Sequence, residues 1–202
     1  HAGKRIAFVT LEMAPDEIYT RLVCGRVGFI GYRLMGRGRA WSDREHNAYD
    51  EARAKLTEGS LRIYAAQRSL EQIEAVVRRS EPDLVLVDYL QLLDWPKGVT
   101  SEYQALTHSC NRLERLAKRA QCTMVLATQV SRAYLAKTGQ ARGPIQGGQS
   151  TSRIDQMADL WVLIQAGEEA GTAVLTCAKN RHGQTGGQFT ATLDPRRGRF
   201  VQ

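Results

Sequence analysis

Three polar residues each close an apolar run. Glu12 follows Arg5 to Leu11, Asp88 closes Leu84-Val85-Leu86-Val87, and Gln129 follows Thr123 to Thr128. Runs of this kind fit buried parallel strands. In open α/β sheets the carboxyl ends of the strands share one edge, and ligands bind there. An acid that orients water, an acid that organises Mg²⁺ and an amide that senses a γ-phosphate form one nucleotide-hydrolysing site. Any one of the three, taken alone, is more simply a strand end meeting solvent. The ordered set favours chemistry, because a fourth motif follows it. In Ala178-Lys179-Asn180-Arg181-His182-Gly183-Gln184-Thr185-Gly186, two cations stand two residues apart beside glycines. Such a loop can offer a phosphate a point charge and a bidentate fork. By itself it is also a common solvated hairpin turn.

The expected partner of an Asp88-type carboxylate is a phosphate-cradling G-x-x-x-x-G-K-[ST] loop upstream. These 202 residues do not contain it. Without that lysine and its nest of amides, nothing holds the β- and γ-phosphates, so the chain alone is expected to be inactive toward ATP.

Regular elements must bring these residues together. After the Arg5–Leu11 strand, Pro15 suits the first turn of a helix, with Asp16 and Glu17 at its positive end. Ser42-Asp43-Arg44-Glu45 and Ser69-Leu70-Glu71-Gln72 are capping boxes that each open a helix. In the second helix, Leu70, Ile73, Val76 and Val77 share a face. A short strand is expected near Leu61–Tyr64. The helix from Ser101 to Ala120 carries the stripe Leu106, Cys110, Leu113, Leu116 and Ala117. Thr123–Thr128 is expected to be another buried strand. This strand–helix alternation predicts an α/β fold with a mostly parallel twisted sheet flanked by helices. Four later strand-like runs, Leu160–Gln165, Ala173–Ala178, Gln188–Leu193 and Arg199–Val201, predict a C-terminal antiparallel extension. Two stretches interrupt the pattern. Gly31, Gly36 and Gly38 alternate with arginines in a basic connection. Lys137–Ser152 is rich in Gly, Gln, Ser and Thr and is expected to be a mobile loop.

Composition bounds the answer. At 202 residues and 43% hydrophobic content the chain suits one domain with a substantial core. No apolar run approaches the roughly 18 residues of a membrane span, and no signal peptide is visible. The net charge of +7 favours a polyanionic partner. Cys24, Cys110, Cys122 and Cys177 form no C-x-x-C pair, and buried reduced thiols in a cytoplasmic protein are expected.

Taken in order, Leu11-Glu12-Met13, Val87-Asp88-Tyr89-Leu90-Gln91-Leu92, Thr128-Gln129-Val130-Ser131-Arg132, Ile154-Asp155-Gln156-Met157-Ala158-Asp159 and the Lys179–Gly186 motif resemble the signatures of DnaB-type replicative helicases. The likeness covers nearly the whole chain. It corresponds to the RecA-like P-loop NTPase core after its phosphate-binding loop. RecA-like relatives such as RadA share parts of it, and the Asp88–Leu92 run favours the helicase branch.

The resemblance implies that Glu12 polarises the attacking water and Asp88 supports Mg²⁺. Gln129 would couple γ-phosphate state to DNA-binding loops. Lys179 and Arg181 would reach a neighbouring subunit's ATP site, so both belong with Asp88 and Gln129 among the ATP-binding residues. It also implies a hexameric ring around single-stranded DNA, with primase and a helicase loader as further partners. The 133–153 stretch would face the DNA. Arg132, Lys137, Arg142 and Arg153 could neutralise phosphates, and the backbone at Gly147 and Gly148 could approach the strand.

The chain departs from the family in that loop. Gly147-Gly148-Gln149-Ser150-Thr151-Ser152-Arg153 stands where an Asp-Leu-Arg-Glu-Ser-Gly-like run is usual. It also departs in lacking the phosphate loop. His1 lies where the phosphate-loop helix would end, so that loop is expected upstream of His1. Two alternatives stay open: a DNA-binding or ring-forming module without ATPase activity, and a RecA/RadA-like recombination ATPase.

Overall fold

The computed structural model describes residues 3–27, 41–65, 68–129, 152–194 and 199–201. Through the first half of the chain, strands and helices alternate. Strand β1 (Ile6–Thr10) leads to α1 (Pro15–Val27) and α2 (Asp43–Thr57). Then come β2 (Leu61–Ala65), α3 (Leu70–Ser80), β3 (Leu84–Asp88), α4 (Glu102–Ala120) and β4 (Thr123–Leu126). These four strands form one parallel sheet in the order β2-β1-β3-β4. Helix α5 (Ser152–Met157) then precedes β5 (Leu160–Ala166), β6 (Thr172–Asn180), β7 (Gln188–Asp194) and β8 (Arg199–Val201). These last four strands pair antiparallel in sequence order. Among the described residues no helix is long and apolar enough to cross a membrane.

Both capping boxes form. The Ser42 hydroxyl accepts from the Glu45 N–H while the Glu45 carboxylate accepts from the Ser42 N–H. Ser69 and Gln72 repeat the exchange at α3. Each pair satisfies donors that a helix start leaves open. The expected apolar faces are buried, Leu70, Ile73, Val76 and Val77 on α3 and Leu106, Cys110, Leu113 and Leu116 on α4, except that Ala117 at the end of the α4 stripe is only half-buried. They pack around Val9, Val85 and Val87 in a single core. Between the two helices, Arg112 forks onto Glu74 through Nε at 3.2 Å and Nη2 at 2.8 Å, and also pairs with Glu71.

The two sheets share that core without sharing a ladder among the described residues. Ile154 of α5 and Trp161 of β5 are buried in the same cluster as Val85 and Leu113. Strand β4 corrects one expectation. It is shorter than Thr123–Thr128, and it is not buried; Val125 is 49% exposed. An apolar run suggests burial on both faces, but β4 is the sheet's edge among the described residues and has only β3 beside it.

Among the cysteines, Cys24, Cys110 and Cys122 are buried and form no disulfide, whereas Cys177 on β6 is half-buried. Burial pushes the Cys24 thiol up to about 11. The basic connection at Gly31–Arg39 lies outside the described residues, as does most of the expected loop at 133–153. Helix α5, which sequence patterning did not suggest, occupies that loop's carboxyl end.

Candidate active site

Strand register builds the site. In the parallel pairing of β1 with β3, Thr10 stands opposite Asp88. One more bond extends the ladder, with Leu11 N–H donating to the Asp88 carbonyl at 2.8 Å. Glu12 therefore begins its turn directly beside the end of β3. Buried Thr10 shapes that turn: its Oγ1 donates to the Met13 carbonyl at 2.9 Å and accepts from the Met13 N–H at 3.0 Å. Folding the chain back on Thr10 leaves Glu12 exposed at the tip, without a hydrogen bond or ion pair among the described residues. Asp88 is half-buried, and its peptide bond to Tyr89 is cis.

Gln129 reaches the same edge by a different route. Beyond β4, the Ala127 N–H donates to the Val87 carbonyl at 2.9 Å, and the Leu90 N–H donates to the Ala127 carbonyl at 3.0 Å. The side chain of Gln91 then clamps the next two residues. Its Nε2 donates to Thr128 Oγ1 and to the Gln129 carbonyl, both at 3.0 Å, and its Oε1 accepts from the Gln129 N–H at 3.3 Å. Sequence reasoning assigned Gln91 no role. The signal was present: it is a lone amide within Leu90-Gln91-Leu92-Leu93.

Glu12, Asp88 and Gln129 thus all lie at the carboxyl edge of the parallel sheet. Lys179 and Arg181 are placed elsewhere, at the end of β6 in the second sheet. Lys179 Nζ donates to the Gln156 carbonyl at 2.9 Å, and the Arg181 guanidinium pairs with Asp159. Their loop is ordered by Asn180, whose Oδ1 accepts from the His182 N–H at 3.1 Å and whose Nδ2 donates to the Gln184 carbonyl at 3.4 Å. A Cβ at Gly183 would stand 2.7 Å from that Nδ2, so a side chain there would push the Asn180 amide aside.

Of the expected DNA-contacting residues, Arg132, Lys137, Arg142, Gly147 and Gly148 lie outside the described residues. Arg153 has its backbone in α5, and its side chain lies outside them as well.

The chemistry available at the edge is that of hard oxygen donors. Mg²⁺ commonly takes one or two carboxylates, keeps several waters and completes its shell with substrate phosphates. Asp88 with Glu12 nearby suits such sparse ligation. Among the described residues no group of three His, Cys, Asp or Glu forms a closed metal cage. A cavity of about 320 Å³ lies at the opposite, amino-terminal end of the sheet, between Arg5, Arg62, Arg79 and Tyr64. Two of its cations are engaged, Arg5 with Glu81 and Arg62 with the Thr57 and Gly59 carbonyls. None of the three strand-end residues lines it.

A family model described as the DnaB-like helicase C terminal domain matches residues 1–202. The chain is 27% identical over 207 residues to a probable plasmid replicative DNA helicase of Chlamydia muridarum (strain MoPn / Nigg), covering 99% of this chain and 44% of that protein. It is 27% identical over 190 residues to the replicative DNA helicase DnaB of Leifsonia xyli subsp. xyli (strain CTCB07), covering 88% and 41%. The chain therefore spans less than half the length of these relatives. Among solved structures, one ATPase domain superposes with a TM-score of 0.85 at 19% identity, covering 98% of this chain and 74% of that one. A DnaB-like replicative helicase solved for its interactions with primase gives 0.84 at 20%, covering 98% and 50%. The RadB recombinase gives 0.53 at 13%, covering 98% and 78%. At these identities the structural likeness speaks for the fold, a RecA-like one.

Proposed function

This chain belongs to the family of DnaB-like helicase C-terminal domains, and on that premise we propose that it is the motor of an ATP-driven helicase that moves on single-stranded DNA. The observation that carries the reading is the parallel register that sets Thr10 against Asp88, so that the turn bearing Glu12 starts beside the end of β3, with Gln129 held by Gln91 at the same edge. Glu12, exposed and unpaired among the described residues, is free to draw a proton from water. Asp88 would hold Mg²⁺, which supplies charge neutralisation at the phosphates when bound. Gln129 hangs from a backbone gripped by Gln91, so a change at its side chain can be passed into the chain that follows β4.

Lys179 and Arg181 would complete the site of a neighbouring subunit. Their position on the second sheet, bound to residues 156–159 of their own chain, suits action in trans. In this reading the protein works as a ring, hexameric in the family's manner, and primase, a loader and single-stranded DNA are its proposed partners. Arginine fingers of this kind raise phosphoryl-transfer rates by about 10³–10⁵-fold.

The test is the single-strand-stimulated ATPase of a protein that carries these residues together with a phosphate-binding loop. Glu12→Gln should lower kcat by about 10²-fold or more, the ordinary worth of a positioned general base. Full activity in that variant would remove Glu12 from the mechanism.

A further inference from the structure

We infer that Asp159 is a positioning residue for Arg181, holding the guanidinium so that its unused donors face outward. The inference rests on the reading of Arg181 as a cation that acts on a neighbouring subunit's phosphate.

Two separate bonds join the residues. The Arg181 N–H donates to the Asp159 carbonyl at 2.8 Å, which sets the backbone. The Asp159 carboxylate then accepts from Nη1 of the same arginine, which sets the side chain. Only one of the five guanidinium N–H groups is engaged in that pair, so Nε and Nη2 remain for a planar, two-point contact with a phosphate. Both side chains are at least half exposed, so the pair faces solvent rather than the core.

Asp159 is itself well anchored. On one side the Ala158 N–H donates to the Ile154 carbonyl at 3.1 Å, and Ile154 is buried in the core. On the other side Trp161 is buried, opposite Lys179 in the β5–β6 pairing, with a register shift immediately after it. Lys179 meets the same segment at the Gln156 carbonyl. Both cations of the loop are thus referenced to one short stretch, 156–159, that is fastened to the core at either end. An arginine on a surface turn has many rotamers, and fixing it beforehand lowers the ordering cost of reaching the transition state.

The experiment compares Asp159→Ala, Asp159→Asn, Arg181→Ala and the Asp159→Ala/Arg181→Ala double variant in the phosphate-loop-bearing protein. The readouts are kcat and KM for ATP in the presence of single-stranded DNA. Asp159→Ala should lower kcat about tenfold, between the severalfold worth of an exposed ion pair and the roughly hundredfold cost of a misplaced group. KM for ATP should stay within about twofold, because the effect is confined to the transition state. Asp159→Asn keeps an acceptor oxygen and should recover most of the rate. The double variant should be no slower than Arg181→Ala alone. An unchanged kcat in Asp159→Ala, or a double variant whose loss is the product of the two single losses, overturns the positioning role and leaves the finger reading intact. An unchanged kcat in Arg181→Ala overturns the finger reading, and the positioning role falls with it.

Discussion

Gln91 shows how much one side chain can organise. Its amide makes three hydrogen bonds across the gap between the ends of β3 and β4, and all three go to Thr128 and Gln129. Replacing it with leucine preserves the volume and removes the donors and acceptor together. Thr128 Oγ1 loses a part-buried donor, while the N–H and carbonyl of exposed Gln129 are left to water. We expect Gln91→Leu to keep the fold and to lower DNA-stimulated ATPase about tenfold, by loosening Gln129 rather than by removing it. Basal and DNA-stimulated rates measured side by side check this; loss of both to the same degree would point to general damage instead. In the sequence Gln91 stands as an amide among leucines, inside the Asp88–Leu92 run but with no role of its own. Its partners are 37 and 38 positions away, and no local pattern connects them.

At the scale of elements, helix ends are the most locally written features. Ser69→Ala should cost about 1 kcal/mol, the usual worth of an N-cap, measured by urea denaturation. Helix α4 ends on Gln121 with a φ of +50°, in the left-handed region that favours glycine. Gln121→Gly should accordingly stabilise by about 0.5–1 kcal/mol in the same assay.

The α3–α4 contact and the Arg5–Asp83 contact at the start of β1 add a pH dependence. A hydrogen bond from Arg112 holds the Glu71 carboxyl below its ordinary 4.5, and the Arg5 backbone N–H holds Asp83 below 3.8. A carboxyl lowered in the folded state is protonated first in the unfolded one, so its contribution is full above the ordinary value. That contribution is lost as pH falls through the folded one. The urea midpoint should therefore stay level down to about pH 5 and fall below about pH 4.5, and the Glu71→Gln/Asp83→Asn pair should flatten the fall. An equally steep acid limb in the double variant would assign the loss to other carboxylates.

At the scale of the whole molecule, the two sheets present apolar edges among the described residues. Val125 on β4 is about half exposed, and Val162 and Ile164 on β5 are 46% and 60% exposed. Each of these strands has a single ladder neighbour among the described residues. Exposed apolar edge strands invite pairing with other chains. The 202-residue chain should self-associate at micromolar concentration, and Val162→Thr/Ile164→Lys should reduce that association. Sedimentation velocity reads the outcome, with far-UV circular dichroism as the control for folding. A double variant that associates as strongly as the parent would place the sticky surface elsewhere.

Local patterning determined the strand–helix alternation, both capping boxes, the buried stripes of α3 and α4, and the polar residues that follow three of the parallel strands. Those features depend on neighbours within a few positions, so periodicity and capping chemistry reveal them. What the tertiary structure decided was pairing at a distance. It set Thr10 against Asp88, delivered Gln129 through Gln91, left β4 at an edge among the described residues and tied Arg181 to Asp159. Each of these depends on which strands become neighbours, and that choice is made by packing a shared core rather than by any short stretch of chain.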